Sequence, residues 1–189
     1  MGTPPEVQFD ALARAASRLC ETPMSAITLI DQDRQWLKAS IGLSGINETE
    51  RSNSFCTYTI AGDSLLEVED TTSDCRFSRN PFVVRKQGVR FYAGAPLKLS
   101  GGENVGSLCV FDTKPRRLSE TQKETLIDLA EAASRALEAH RARASDEPGR
   151  EAALGRGFLL IFLWHASHFL AHEFKKPWAW FGSHYFYIF

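Results

Sequence analysis

From Val89 onward the chain alternates, with Val89, Phe91, Ala93, Ala95, Leu97 and Leu99 on one side and Arg90, Tyr92, Gly94, Pro96 and Lys98 on the other. A period of two is that of an extended strand whose successive side chains point to opposite faces, so this stretch predicts a half-buried strand. Ser100-Gly101-Gly102-Glu103-Asn104 supplies a turn, and residues 105–111 return as a second strand in which Gly106 meets a crowded neighbour or a bend. Nearer the start, residues 26–31 and 36–41 read as two strands joined by Gln32-Asp33-Arg34, a connection short enough for an antiparallel hairpin. Helical spacing brackets these strands. Phe9, Leu12, Ala16 and Leu19 form one apolar face, introduced by Thr3 as a cap, proline in the first turn and Glu6 at the capping-box position. Ser119 and Gln122 form a second capping box. It opens a helix of about 25 residues, roughly 38 Å. The seam of that helix is Leu126, Leu129, Ala133, Ala136 and His140. Helix, antiparallel strands, irregular middle, two more strands, helix: that order predicts an α+β fold with its helices on one side of a sheet.

Composition narrows the function. The chain has 189 residues, room for one ordinary domain and an appendage. With 22 basic and 23 acidic residues and a formal net charge of -1, nothing electrostatic draws the body of the chain to nucleic acid. Cys20, Cys56, Cys75 and Cys109 contain no C-x-x-C spacing, and no signal peptide pattern opens the chain, so free thiols in a reducing cytoplasm are expected. The first histidine is His140. Residues 1–139 therefore hold no Ser-His-Asp or Cys-His catalytic constellation, no imidazole for a metal and no phosphoacceptor histidine.

Four motifs follow one another in the middle of the chain: Ser54-Phe55-Cys56-Thr57-Tyr58-Thr59-Ile60; Asp74-Cys75-Arg76-Phe77 with Asn80-Pro81; Phe91-Tyr92-Ala93-Gly94-Ala95-Pro96-Leu97; and Gly106-Ser107-Leu108-Cys109-Val110-Phe111-Asp112. In that order they resemble the GAF domain family, sensory modules of the kind found in bacterial histidine kinases and diguanylate cyclases. The likeness covers about residues 6–145. It implies a central antiparallel sheet with N- and C-terminal helices packed on one side and a ligand-pocket roof on the other. It also implies a noncatalytic module that binds a small molecule, or dimerises, to control an output kinase or cyclase. Carried onto this chain, the ligand-binding candidates are Phe55, Cys56, Tyr58 and Thr59 in the first roof segment, Asp70, Phe77 and Asn80 in the second, and Tyr92 and Cys109 from the strands. Each also has a plainer reading: aromatics on an apolar pattern form core, and Asp-x-Arg-Phe with Asn-Pro fixes turns. The Asn-Lys…Phe…Asp-Glu constellation of cyclic-nucleotide-binding members has no counterpart in residues 46–90. Cys75 precedes Arg76 instead of the histidine of bilin-binding members, and haem ordinarily asks for an axial histidine. The cofactor is thus left open.

The thiols supply an alternative from another class, a redox sensor or reductase using Cys56 with Cys109 or Cys75; the plain reading is that they are small buried hydrophobes. The final helix, its Leu/Ala seam flanked by Glu131, Arg135, Glu138 and Arg141, suits either a homodimer through the terminal helices or a single helix covering its own sheet. Composition shifts at Asp146-Glu147-Pro148-Gly149, which separates a sensory domain, residues 1–147, from an aromatic-rich tail, residues 148–189. Residues 157–174 approach the length of a membrane span, and Trp and Tyr follow them, so membrane association through residues 157–189 is one expectation. His165, His168, His172 and Glu173 oppose it. On a helix the three histidines share a face that can ligate a metal or form the polar stripe of an amphipathic segment; the stripe is expected, and no metal site. A frameshifted or truncated gene product is the third reading of the tail.

Overall fold

The computed structural model describes residues 7–145. The Thr3 cap and every expectation for the tail therefore lie outside the described residues. The elements run α1 (Val7–Leu19), β1 (Met24–Ile30), β2 (Arg34–Ile41), β3 (Glu48–Glu50), α2 (Cys56–Ile60), β4 (Leu66–Val68), β5 (Phe91–Lys98), β6 (Asn104–Asp112) and α3 (Glu120–Ser145). The strands form one sheet in the order β3-β2-β1-β6-β5-β4. Every neighbouring pair is antiparallel. Both expected hairpins form: the Asp31 N–H donates to the Arg34 carbonyl at 2.8 Å, and the Leu99 N–H to the Glu103 carbonyl at 2.9 Å. The second turns through Gly102, whose φ of +91° favours a residue without Cβ.

α1 and α3 lie against one face. The α1 stripe is Phe9, Ala13, Ala16 and Cys20, not a line ending at Leu19, which is 52% exposed. The α3 stripe is likewise Leu126, Ala130, Ala133 and Leu137, with the expected Leu129 and Ala136 at its margins. In both helices spacings of three and four keep the stripe over the sheet, and the sequence admits several such lines. The capping box closes reciprocally: the Gln122 N–H donates to Ser119 Oγ at 3.2 Å and the Ser119 N–H to Gln122 Oε1 at 3.0 Å. Gln122 Nε2 also donates to the Leu19 carbonyl at 3.2 Å, tying the start of α3 to the end of α1.

β5 is not half-buried as the alternation predicts; Phe91, Tyr92, Ala93, Gly94 and Ala95 are all buried. Phe91, Ala93, Ala95 and Leu97 enter the helix-side core, while Tyr92 enters a second core under the roof. A polar phenol on the second face reads as solvent-facing until a cover is known to exist. Gly106 meets the crowding expected of it, since a Cβ there would overlap the Thr28 carbonyl oxygen. Among the described residues no helix is long and apolar enough to cross a membrane.

Candidate functional site beneath the roof

The roof-side face of the three central strands is a grid set by register. Across β1, β6 and β5 its rows are Met24–Phe111–Tyr92, Ala26–Cys109–Gly94 and Thr28–Ser107–Pro96. Large residues fill the first row. Cys109 in the second is flanked by Ala26 and Gly94, the smallest side chains available, so the sheet carries a trough with a thiol at its floor. Thr28 and Ser107 bring their hydroxyls to 3.3 Å of each other in the third.

α2 settles into that trough. Its first residue, Cys56, brings its Sγ to 3.7 Å from Cys109 Sγ, and both thiols are free and buried. One turn on, Thr59 Oγ1 shares a 2.5 Å hydrogen bond with the Tyr92 hydroxyl. Gly94 makes that bond possible, because the phenol lies along β5 over the position where a Cβ would stand. Phe55, just before α2, stacks on Tyr92 with ring centroids 5.2 Å apart and meets Phe77 at 4.8 Å.

Of the sequence-derived candidates, Phe55, Cys56, Thr59, Phe77, Tyr92 and Cys109 are thus brought together. All are buried, and Phe77 and Tyr92 are 0% exposed. Tyr58 stands at the rim, 44% exposed, with its ring edge-on to Phe77 at 4.9 Å. Asp70 and Asn80 sit farther out, and their side chains hold loops. Asp70 Oδ1 accepts from the Thr72 N–H at 2.9 Å and the Thr72 hydroxyl at 2.7 Å. Asn80 Nδ2 donates to the Asn53 carbonyl at 2.9 Å while Asn80 Oδ1 accepts from the Phe82 N–H at 2.8 Å, joining the two roof segments. Cys75 is exposed, apart from the buried pair.

The cover fills most of the space beneath it. What remains is a cavity of about 60 Å³ bounded by Phe55, Cys56 and Phe111 on one side and by Gln35, Leu37, Leu43, Ile46 and Thr49 on another, with Phe82 and Val89 completing it. The sequence reading missed Gln35, Thr49 and the other contributors from β2, β3 and their connection. No motif marks them; they reach the site because β3 pairs with the outer edge of β2. The cavity lining is apolar except at Gln35, which accepts a hydrogen bond from the Ser54 hydroxyl, and at Thr49, whose Oγ1 is buried without a hydrogen-bond partner.

The two thiols differ electrostatically. Burial pushes the Cys109 thiol well up, and neighbouring Cys56 adds to it. At Cys56 burial also pushes up, but hydrogen bonds from Cys109, Ser107, Thr28 and Tyr92 outweigh it and bring the thiol down to about 6. Burial likewise raises the Tyr92 phenol, keeping it protonated. The pair is therefore chemically asymmetric, with one sulfur inclined to ionise and a protonated neighbour beside it. Among the described residues no group of three or more His, Cys, Asp or Glu side chains could hold a metal ion.

Known proteins share this arrangement of chain and sheet. The GAF domain of a phosphoenolpyruvate-protein phosphotransferase from Acinetobacter superposes with a TM-score of 0.60 at 19% identity, covering 71% of this chain and 82% of that one. A free methionine-R-sulfoxide reductase from Neisseria meningitidis, solved with its substrate, superposes with a TM-score of 0.58 at 18% identity, covering 71% and 78%. At such identities the likeness is one of fold. A cyclic di-GMP phosphodiesterase of Pseudomonas aeruginosa is 48% identical over 108 residues, which are 57% of this chain and 18% of that protein, so the chain spans about a fifth of that relative's length. The sequence model of the GAF domain matches residues 4–137, most of the chain, and the chain belongs to the GAF domain family.

Proposed function

We propose that this GAF domain is a noncatalytic sensory and regulatory module whose roof-side site reads a small molecule, or whose terminal helices pair two copies, to control an output domain or partner. The observation that carries this reading is the build of the site itself. Phe55, Cys56, Thr59 and Phe77 close over Tyr92 and Cys109 of the sheet beside a cavity of about 60 Å³, and the first histidine of the chain lies far along α3. Such a site has little room for a substrate. Its strands are the ones that carry the helix-side core, so a change beneath the roof is felt by α1 and α3. The 48% identical relative is a cyclic di-GMP phosphodiesterase, which makes cyclic di-GMP turnover a natural output to test, beside the kinases and cyclases that the family likeness implies.

Native mass spectrometry of the full chain, compared with its denatured mass, tests the reading. We expect a dimer, or a reproducible mass excess lost on denaturation, and no hydrolysis of cyclic di-GMP by the purified chain. Hydrolysis, or a bare monomer under all conditions, would overturn it.

A redox form of the same reading is favoured by one observation, the 3.7 Å approach of two free, buried sulfurs. Oxidation would then be the signal, with Cys109, rather than the exposed Cys75, as the favoured partner of Cys56.

A further inference from the structure

We propose that the cavity beside Cys56 admits a small neutral peroxide and that Cys56 and Cys109 answer it by forming a reversible disulfide that staples α2 to β6. The inference rests on the sensory reading above and gives the chemistry of its signal.

Size sets the class of oxidant. A cavity of about 60 Å³ holds a few water-sized molecules, since roughly 10–15 Å³ of such volume suffices for one. Hydrogen peroxide, with two heavy atoms, fits. A peptide, a nucleotide or a sulfoxide-bearing amino acid does not fit without displacing the roof. The wall is apolar apart from Gln35 and Thr49, whose Oγ1 is buried and unpartnered. Cys56 is among the residues that line this cavity and Cys109 is not; Cys109 Sγ lies on the sheet, 3.7 Å from Cys56 Sγ. The cysteine nearer the oxidant is thus Cys56, with its partner sulfur within contact distance.

The Cys56 thiol gives up its proton and the thiolate attacks one peroxide oxygen; the O–O bond breaks, and the departing hydroxide takes up that released proton and leaves as water. Cys56 is now a sulfenic acid. The Cys109 sulfur then attacks the Cys56 sulfur, an S–S bond forms, the S–O bond breaks, and the hydroxyl leaves as a second water with the Cys109 proton. Two thiols lose two electrons and the peroxide gains them. The bond formed, about 2 Å long, replaces a 3.7 Å contact, so α2 must shift toward β6 or its side chains re-orient. Phe55 and Thr59, on either side of Cys56 in the chain, both contact Tyr92, hence the change enters β5 directly.

The test is direct. The fully reduced 189-residue chain is exposed to hydrogen peroxide, and free thiols, intact mass and proteolytic peptides are followed. We expect a fall from the four cysteine thiols of the chain to two, a mass lower by two hydrogens, a peptide joining Cys56 to Cys109, and recovery with dithiothreitol. The Cys75→Ser variant should form the same crosslink, and Cys109→Ser should stop at a sulfenic acid on Cys56 that dimedone captures. Glutathione disulfide, too bulky for the cavity, should act at least about tenfold more slowly than peroxide. Loss of Cys75 alone, a crosslink between chains, or an equal rate with the bulky oxidant would overturn the proposal. The wild-type crosslink needs no variant to fold. Its absence would leave the sensory reading standing, whereas cyclic di-GMP hydrolysis would remove that reading with the crosslink intact.

Discussion

The Thr59–Tyr92 hydrogen bond exists because position 94 has no side chain, which makes one glycine the condition for the polar tie between roof and sheet. Gly94→Ala places a methyl where the phenolic oxygen lies and brings it near Thr59 Oγ1, so the ring must move within a filled core. A loss of about 1–3 kcal/mol is expected, read as a lower urea midpoint at unchanged slope. Tyr92→Phe instead leaves the Thr59 hydroxyl buried and unpartnered, at a cost of about 1 kcal/mol or somewhat more. The two changes should not add. With the phenolic oxygen gone, alanine at 94 has less to collide with, and a double-mutant cycle should return a coupling of at least about 0.5 kcal/mol. Full additivity would mean that the glycine serves some other purpose.

Among the elements, the roof loops add short polar bonds to an apolar core while the helices rest on apolar stripes, and the two respond to different perturbations. Hydrogen bonds from Thr72 hold the Asp70 carboxylate below its usual range, and the Arg76 guanidinium does the same for Asp74. A depressed native value means that the unfolded chain binds more protons. The contribution is therefore complete above the unfolded value, near pH 4, and is lost as pH falls through the native values below it. Acid should thus loosen the roof: near-ultraviolet circular dichroism from Tyr58 and Phe77 should fade below about pH 4, and Asp74→Asn should flatten that dependence. The opening of α3 answers to a cap instead. Gln122→Ala removes the bond to Ser119 and the bond to the Leu19 carbonyl together, and thermal unfolding should show a loss of about 1–2 kcal/mol. The same division explains what could be read in advance. The capping box, the two hairpins, β5, β6 and the length of α3 all announce themselves through local chemistry. β3 and β4, three residues each, carry too little pattern to show. Of the site, the aromatic and thiol residues are legible in their motifs. Gln35, Thr49 and Ile46 are not, because only the pairing of β3 with β2 brings them to the cavity.

At the scale of the molecule, β5 and β6 serve two cores at once. Phe91, Ala93, Leu108 and Val110 support the helices, while the intervening Tyr92, Cys109 and Phe111 support the roof. A displacement beneath the roof cannot stay there, because the backbone it moves also positions the helix-side residues. The cavity leaves the roof core incomplete, and it separates stability from sensing in a way one substitution can test. Val89 lines it, and Val89→Leu adds a methylene that about 60 Å³ can receive. Filling apolar space should stabilise the chain by about 0.8 kcal/mol, seen as a higher urea midpoint. The same methylene occupies the space in which a small oxidant would meet Cys56. Crosslinking of Cys56 to Cys109 by peroxide should slow, while alkylation of the exposed Cys75 keeps its rate. A variant both more stable and slower to oxidise would tie sensing to a packing defect retained beneath the roof. If instead it were more stable and equally fast, the peroxide would reach the thiol by opening of the roof, and the acid-sensitive bonds of Asp70 and Asp74 would then govern the rate.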